Sequence, residues 1–346
     1  MQIPEIPAFD QAAADQARAR QSQLTKPAGA LGRLEALSIQ LAGMTGRSRL
    51  AFAHKAVILM AADHGVALEG VSAYPRAVTA QMLANIANQG AAVNVLARQN
   101  GARVVAVDIG VAADTGALPG VLQRKLAAGS ANLRRGPAMS RALAEQAIQT
   151  GMQVLDEQAA QGLDLAALGE MGIGNTTAAA ALGAALTGAP VSSMTGRGTG
   201  LDDAGLDNKI HVIEESLVLN APDPADALDA LAKVGGLEIA GLSGVIIAAA
   251  ARRIPVLVDG FITAAAALCA VRLAPGAGAY LIASHLSVER GHAILCEALG
   301  LEPLLDLQLR LGEGSGALLA MPLVESAARI LDEMATFDQA GVSRHV

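Results

Sequence analysis

Residues 165–186 read LAALGEMGIGNTTAAAALGAAL, and the way this stretch divides decides the fold. Residues 165–168 are an unbroken apolar run, residues 169–174 interrupt it with three glycines and a single acid, and alanine and leucine dominate from Asn175 onward. An apolar run too short for a helix, then a tight turn, then good helix formers, is a strand buried on both faces that feeds a helix. The same punctuation recurs along the chain: residues 56–60 (AVILM) end in ADHG, 104–107 (VVAV) in DIG, 254–258 (IPVLV) in DG and 279–283 (AYLIA) in SH. Buried strands alternating with helices predict a doubly wound α/β core, a mostly parallel sheet with helices on both faces. In such a sheet ligands gather beyond the carboxyl ends of the strands, where Asp63, His64, Asp108, Glu170, Asp259 and Ser284 fall.

Outside this core, Leu31, Leu34, Leu37 and Leu41 stand at helical spacing behind a polar N-terminal arm. The chain is read as helical again from Leu304, with a helix over 316–334 expected to pack on the N-terminal helices. The organisation expected is a helical segment over 1–50, an α/β nucleotide-binding domain over 51–303 and a helical segment over 304–346, the two ends together forming a small domain.

Composition narrows the function. With 346 residues, 52% of them hydrophobic, the chain can fill a large core, and with 2% aromatic residues, no tryptophan and 37 glycines that core must be tightly packed aliphatic layers. A net charge of −7 without basic clusters argues against a nucleic-acid partner. Cys269 and Cys296 lie in apolar contexts without metal-ligand spacing, as suits the reducing cytosol. No span is expected despite a mean hydropathy of +0.40, because Glu238 interrupts one apolar stretch and Arg272 and Pro275 another. The expectation is a soluble cytoplasmic protein.

Four segments carry chemistry. In GEMGIGNTT (169–177), amide N–H groups around Gly172 and Gly174 and the start of the next helix suit a phosphate, with Asn175, Thr176 and Thr177 as capping or anion-binding side chains. An ordinary strand-to-helix turn has the same spacing, and spacing alone leaves the two readings level. In TGRGTGLDDAGLDNK (195–209), the loop around Gly198 ends in Lys209, a point charge for a phosphate or a lysine on a helix surface. Asp202 and Asp203 in that loop follow no apolar strand and make a weak magnesium signal. In LGEGSG (311–316), glycines clear the space around Glu313 for a planar substrate, and an apolar setting would raise its pKa toward that of a general base; a solvated or capping acid in a turn fits the same residues. In residues 62–83, Tyr74, Met82 and Leu83 form either a flat apolar slot or ordinary core, and Asp63 and His64 lack a third metal ligand.

Taken in order, KPAGALGRLE, ADHGVALEGVSAYP, GAAVNVLAR, GEMGIGNTTAAAAL, TGRGTGLDDAGLDNK, VGGLEIAGLSG, VLVDGFITAAAAL and LRLGEGSGA cover nearly the whole chain. Together they resemble the motifs of the nicotinate-nucleotide:dimethylbenzimidazole phosphoribosyltransferase family. The resemblance implies a Rossmann-like large domain, a small helical domain made from both chain ends, and a homodimer. It implies a reaction in which nicotinate mononucleotide and dimethylbenzimidazole give α-ribazole phosphate and nicotinate, with inversion at the anomeric carbon, as a step of cobalamin biosynthesis.

By the same resemblance Glu313 is the catalytic base and Glu170 its partner at the ribose. Gly172, Gly174, Asn175, Thr176, Thr177, Gly198, Lys209 and Ser284 hold phosphate and ribose, and Ser72, Tyr74, Gln81, Met82 and Leu311 line the base pocket. No metal and no cofactor are called for. The chemistry agrees: the nicotinate ring is already a pyridinium in the substrate and leaves with a neutral ring nitrogen that needs no proton, so only the entering azole has a proton to lose. A dinucleotide-dependent oxidoreductase would fit the fold but lacks its GxGxxG turn here, and a non-catalytic nucleotide-binding module would leave Glu313 without a role.

Overall fold

Six strands, β1 (Lys55–Ala62), β2 (Ala102–Gly110), β3 (Leu122–Gln123), β4 (Leu165–Met171), β5 (Val256–Val258) and β6 (Leu281–Ala283), form one sheet in the order β3-β2-β1-β4-β5-β6. The structure is a computed structural model and describes residues 1–343; the end of the expected C-terminal segment, 344–346, lies outside the described residues. Every neighbouring pair in the sheet is parallel. Each residue of β1 is buried, as a central strand covered on both faces requires. Strand order reverses between β1 and β4, so the crevice at the topological switch opens above Ala62 and Met171.

The strands expected from apolar runs are present, with two trimmed. β6 starts only at Leu281 because Pro275–Tyr280 closes a 3₁₀ turn, where Pro275 fixes φ and Gly276 follows. β5 starts at Val256, after Pro255, which has no N–H to give to a ladder. The reading of a helical chain from Leu304 onward fails over five residues. Leu305–Leu309 is a strand, β8, pairing in parallel with β7 (His285–Ser287). Its sequence LDLQL alternates with period two, a strand pattern, but the run is short and its leucines do not enter the core: Leu307 is exposed.

The helix Arg33–Thr45 buries Leu37, Leu41 and Met44 and packs against Gln11–Gln21 and Ser315–Glu333. Ser315–Glu333 also reaches β4, β5, β7 and β8, so it brings the chain end under the crevice. One continuous apolar core runs from Leu41 through Ile58, Leu168 and Leu242 to Leu331. Small residues bring its layers close. Where helix Arg141–Ala159 meets Leu237–Ala251, a Cβ on Gly151 would fall on the carbonyl oxygen of Gly241. Among the described residues no helix is long and apolar enough to cross a membrane.

Candidate active site

A cavity of about 500 Å³ opens at the switch point, walled by the end of β4, the residues after β5, and the loop leading out of β8. Glu170, Gly172, Asn175, Thr176, Gly198, Tyr74 and Leu311 line it, seven of the fifteen site residues picked from the sequence. Glu313 and Lys209 do not line it; they lie behind its wall, Glu313 next to the lining residue Gly312 and Lys209 bonded to the lining residue Thr176. Another cavity, about 550 Å³, lies at the opposite end of the sheet beside Arg47, Phe52 and Arg252. It touches none of the glycine-rich segments and sits where no strand delivers its carboxyl end.

At one side of the switch-point cavity the helix Asn175–Thr187 begins after Gly174, whose φ of +96° puts it in the left-handed region. No side chain caps this helix start among the described residues, so the positive end of its dipole faces the cavity with only backbone partners. Lys209, fully buried, donates from Nζ to Thr176 Oγ1 at 2.7 Å in the first turn. Burial pulls the Lys209 ammonium down to about 8, opposed by the carboxylate of Glu289. An unscreened ammonium at an uncapped helix start is an anion site. Thr177 is buried close by, its hydroxyl without a hydrogen-bond partner among the described residues. Ser284 stands apart from this corner, donating from Oγ to the carbonyl of Asp259 at 2.9 Å.

On the facing side, Gly312, Glu313 and Gly314 have φ of +83°, +61° and +83°, three successive left-handed residues. For a residue with a Cβ that conformation costs on the order of 1 kcal/mol or more and persists only where its surroundings enforce it. Gly312 has no freedom to be anything larger, because a Cβ there would meet Glu170 Oε1. Glu313 is 4% exposed, and its Oε2 has no partner among the described residues. Burial raises its pKa; a backbone N–H bond from Val93 opposes this and the charge of Asp259 adds to it. A carboxylate with raised proton affinity and a free oxygen is suited to accept a proton.

Glu170 lies between the two corners and accepts a hydrogen bond from Asn175 Nδ2. Its pKa is pushed up to about 8, first by burial and then by the charge of Asp259, with Asn175 opposing and Glu238 and Glu313 adding. It holds a proton more readily than an ordinary carboxyl, and a cation beside it would favour the charged form.

The residues expected around the base are less gathered. Tyr74 and Leu311 stand at the cavity rim, each more than half exposed. Ser72 Oγ lies 3.0 Å from Thr199 Oγ1 and ties the first segment to the second glycine loop. Met82 is half-buried against the core, Gln81 is exposed on helix Val78–Ala87, and neither lines the cavity.

His285, Glu289, Arg310 and Thr199 line it without having been picked. So does Asp259, recognised as a strand-end acid and given no role. The polar run SHLSVE after β6 was the available signal for His285 and Glu289. Asp63 and His64 are structural: Asp63 pairs with Arg76 at 3.3 Å, and His64 Nε2 meets Glu238 Oε1 at 2.7 Å with Ser130 Oγ 3.5 Å from Nδ1. That serine, histidine and glutamate sequence resembles a nucleophilic triad, but the serine–histidine contact of 3.5 Å is too long for an activated nucleophile and none of the three lines the cavity.

A parallel sheet with an anion-binding helix start on one side of its switch point and a buried proton acceptor on the other defines a class, an enzyme that transfers a group from a phosphorylated small molecule. A phosphoribosyltransferase family matches residues 6–342. A protein of Chloroflexus aggregans named nicotinate-nucleotide–dimethylbenzimidazole phosphoribosyltransferase is 61% identical over 99% of this chain and 97% of its own length. One of the same name from Geobacter sulfurreducens is 53% identical over 95% and 93%. The crystal structure of CobT from Thermus thermophilus superposes with a TM-score of 0.93 at 47% identity, covering 96% of this chain and all of that one. The chain belongs to the nicotinate-nucleotide–dimethylbenzimidazole phosphoribosyltransferase family.

Proposed function

We propose that this chain moves phosphoribose from nicotinate mononucleotide to dimethylbenzimidazole, giving α-ribazole phosphate and nicotinate for the nucleotide loop of cobalamin. The observation that carries the reading is the pairing of two unlike corners at one cavity: an uncapped helix start whose lining residue Thr176 is bonded to buried Lys209, and the lining residue Gly312 followed by buried Glu313, whose Oε2 has no partner among the described residues. The phosphate sits at the first, with Gly172, Gly174, Asn175, Thr176, Thr177 and Gly198 around it and the ribose; Ser284, also expected there, stands apart beside Asp259. The azole enters at the second, against Tyr74 and Leu311; the family resemblance would add Ser72, Gln81 and Met82, which stand outside the cavity lining.

One azole nitrogen attacks the anomeric carbon as the bond to nicotinate breaks and its electron pair returns to the pyridine nitrogen. Glu313 takes the proton from the other azole nitrogen, so no general acid is needed. Arrival of the pyridinium drives the proton from Glu170, which then faces the developing ribosyl cation as a carboxylate. Attack from the face opposite the leaving ring gives inversion, and fixing both rings supplies much of the rate.

The reading includes a cytoplasmic homodimer with a small helical domain built from 1–50 and 304–346. Two buried free cysteines suit the reducing compartment, and the exposed apolar rim at Tyr74 and Leu311 suits a covering second copy. Mixing the pure protein with the two substrates in the presence of a chelator tests the reaction. Stoichiometric nicotinate and α-ribazole phosphate are expected, and no product over hours at micromolar enzyme overturns it. Neither substrate has a pyrophosphate for a cation to bridge, so the chelator is expected to change nothing.

A further inference from the structure

We infer that Asp259 is a positioning residue that locks the Glu313 loop into its left-handed course and aims the base. The inference rests on the reading of Glu313 as the proton acceptor. Asp259 follows β5 and is 1% exposed. Its Oδ2 accepts from the backbone N–H of Gly314 at 3.2 Å and its Oδ1 from that of Ala317 at 2.9 Å, across 55 and 58 residues of chain.

Those two N–H groups belong to the start of helix Ser315–Glu333, which has no other side-chain cap among the described residues. A carboxylate there is stabilised by the helix dipole and by charge-assisted hydrogen bonds. Gly314 is the residue next to Glu313, so the bond to it holds the backbone at the turn that the φ of Glu313 strains. Without the carboxylate, the left-handed turn loses the tether that offsets the strain at Glu313, and the Glu313 side chain gains other directions. The backbone tether acts on orientation; the negative charge acts separately on proton affinity.

The charged groups facing Asp259 are few. Glu170 comes from β4, His285 Nε2 from β7 lies 3.9 Å from Oδ1, and Glu313 comes from the loop. Burial raises the pKa of Asp259, while His285 and the backbone N–H groups of Ala317, Gly316 and Gly314 oppose this. Where Asp259 is ionised, its charge makes Glu313 a stronger base, so removing it moves the acid limb of the rate profile to lower pH.

The test is Asp259→Asn, measured beside Glu313→Gln for kcat, for KM of nicotinate mononucleotide, and for the pH profile of kcat/KM for the azole. Asn keeps the size but turns one N–H toward the helix start or loses an acceptor. The expectation is a fall in kcat of at least tenfold, a nucleotide KM within about threefold of the parent, and an acid limb shifted downward. Wild-type kcat with an unmoved acid limb overturns the inference while a dead Glu313→Gln leaves the base assignment standing; an active Glu313→Gln overturns the base assignment itself. Asp259→Glu is the second variant. It retains the charge but displaces the carboxylate, so kcat falls while the acid limb stays, and full kcat there overturns the positioning role. If neither variant folds, Asp259 is a structural residue and the inference is wrong.

Discussion

Two helices begin at the mouth of the same cavity, each just after a glycine in the left-handed region, Gly174 at +96° and Gly314 at +83°. Both have a glycine-rich approach from the sheet, and either would attract an anion. They differ in what the protein has put there. Asp259 accepts from the backbone N–H groups at the start of Ser315–Glu333, whereas at the start of Asn175–Thr187 the described residues give no side-chain cap to the backbone: Glu170 bonds the Asn175 side chain and Lys209 the Thr176 hydroxyl. The filled start repels a phosphate and the open one accepts it. On the proposed function, these two similar local devices would fix the direction in which the substrate lies, phosphate toward Lys209 and reacting carbon toward Glu313. Specificity of placement comes from blocking the wrong site as much as from building the right one.

The largest effect should come from the filled side. Glu313→Gln preserves the shape of the pocket and removes the proton acceptor, so turnover should fall by something like 10²- to 10⁴-fold with both substrate affinities nearly unchanged. Steady-state kinetics, calorimetric binding and the melting temperature on one sample separate the outcomes. Full turnover would reduce Glu313 to a turn residue, and the asymmetry between the two helix starts would then lack a chemical purpose.

The open side should answer next, and through binding. Lys209→Ala removes a charge-assisted contact of roughly 1.5–3 kcal/mol, about ten- to a hundredfold in nucleotide affinity, with little change for the azole. The pH dependence sharpens the assignment. With the ammonium pulled down to about 8, nucleotide affinity in the parent should weaken as pH rises through that value, and Lys209→Ala should lack this step. Calorimetry between pH 6.5 and 9 reads both, and parallel curves would place the phosphate elsewhere.

How far the sequence announced this arrangement depends on the range of the forces involved. β1 and β4 were legible because burial on both faces leaves an unbroken apolar run, a signal contained in a few neighbours. The glycine-rich turns were visible in a few neighbours too, but those neighbours left Glu313 open between a base and a turn acid, and only the family resemblance singled it out. β8 escaped because it makes its pairing with β7 outside the core, where alternation carries less burial. The role of Asp259 was invisible. Nothing around VDG says that its carboxylate will meet N–H groups 55 residues later, since that contact exists only once the C-terminal helix has docked under the sheet. Lys209 illustrates the converse: its spacing suits a helix surface, and only tertiary packing shows it to be fully buried.

The smallest expected effect, and the one that reports on the empty site, is on stability. Glu170 lies between the two helix starts with its pKa raised from 4.5 to about 8, so between those values the folded protein holds a proton that the unfolded chain releases. Stability then falls as pH rises through this window: the contribution is whole below about 4.5 and lost by about 8. Glu170→Gln keeps an acceptor for Asn175 and cannot ionise, so it should match the parent near pH 4.5 and become progressively more stable than it toward pH 8, by about 1–3 kcal/mol. Activity should fall in the same variant, because the carboxylate that destabilises the empty fold is the one that faces the ribosyl cation during transfer. Melting temperatures of both proteins across pH 5 to 9, without substrate, decide the matter. A difference that grows with pH means that Glu170 waits protonated for its cationic substrate, whereas a constant offset would mean that it is already charged in the empty cavity and that the neighbouring carboxylates are held further apart, electrostatically, than their burial implies.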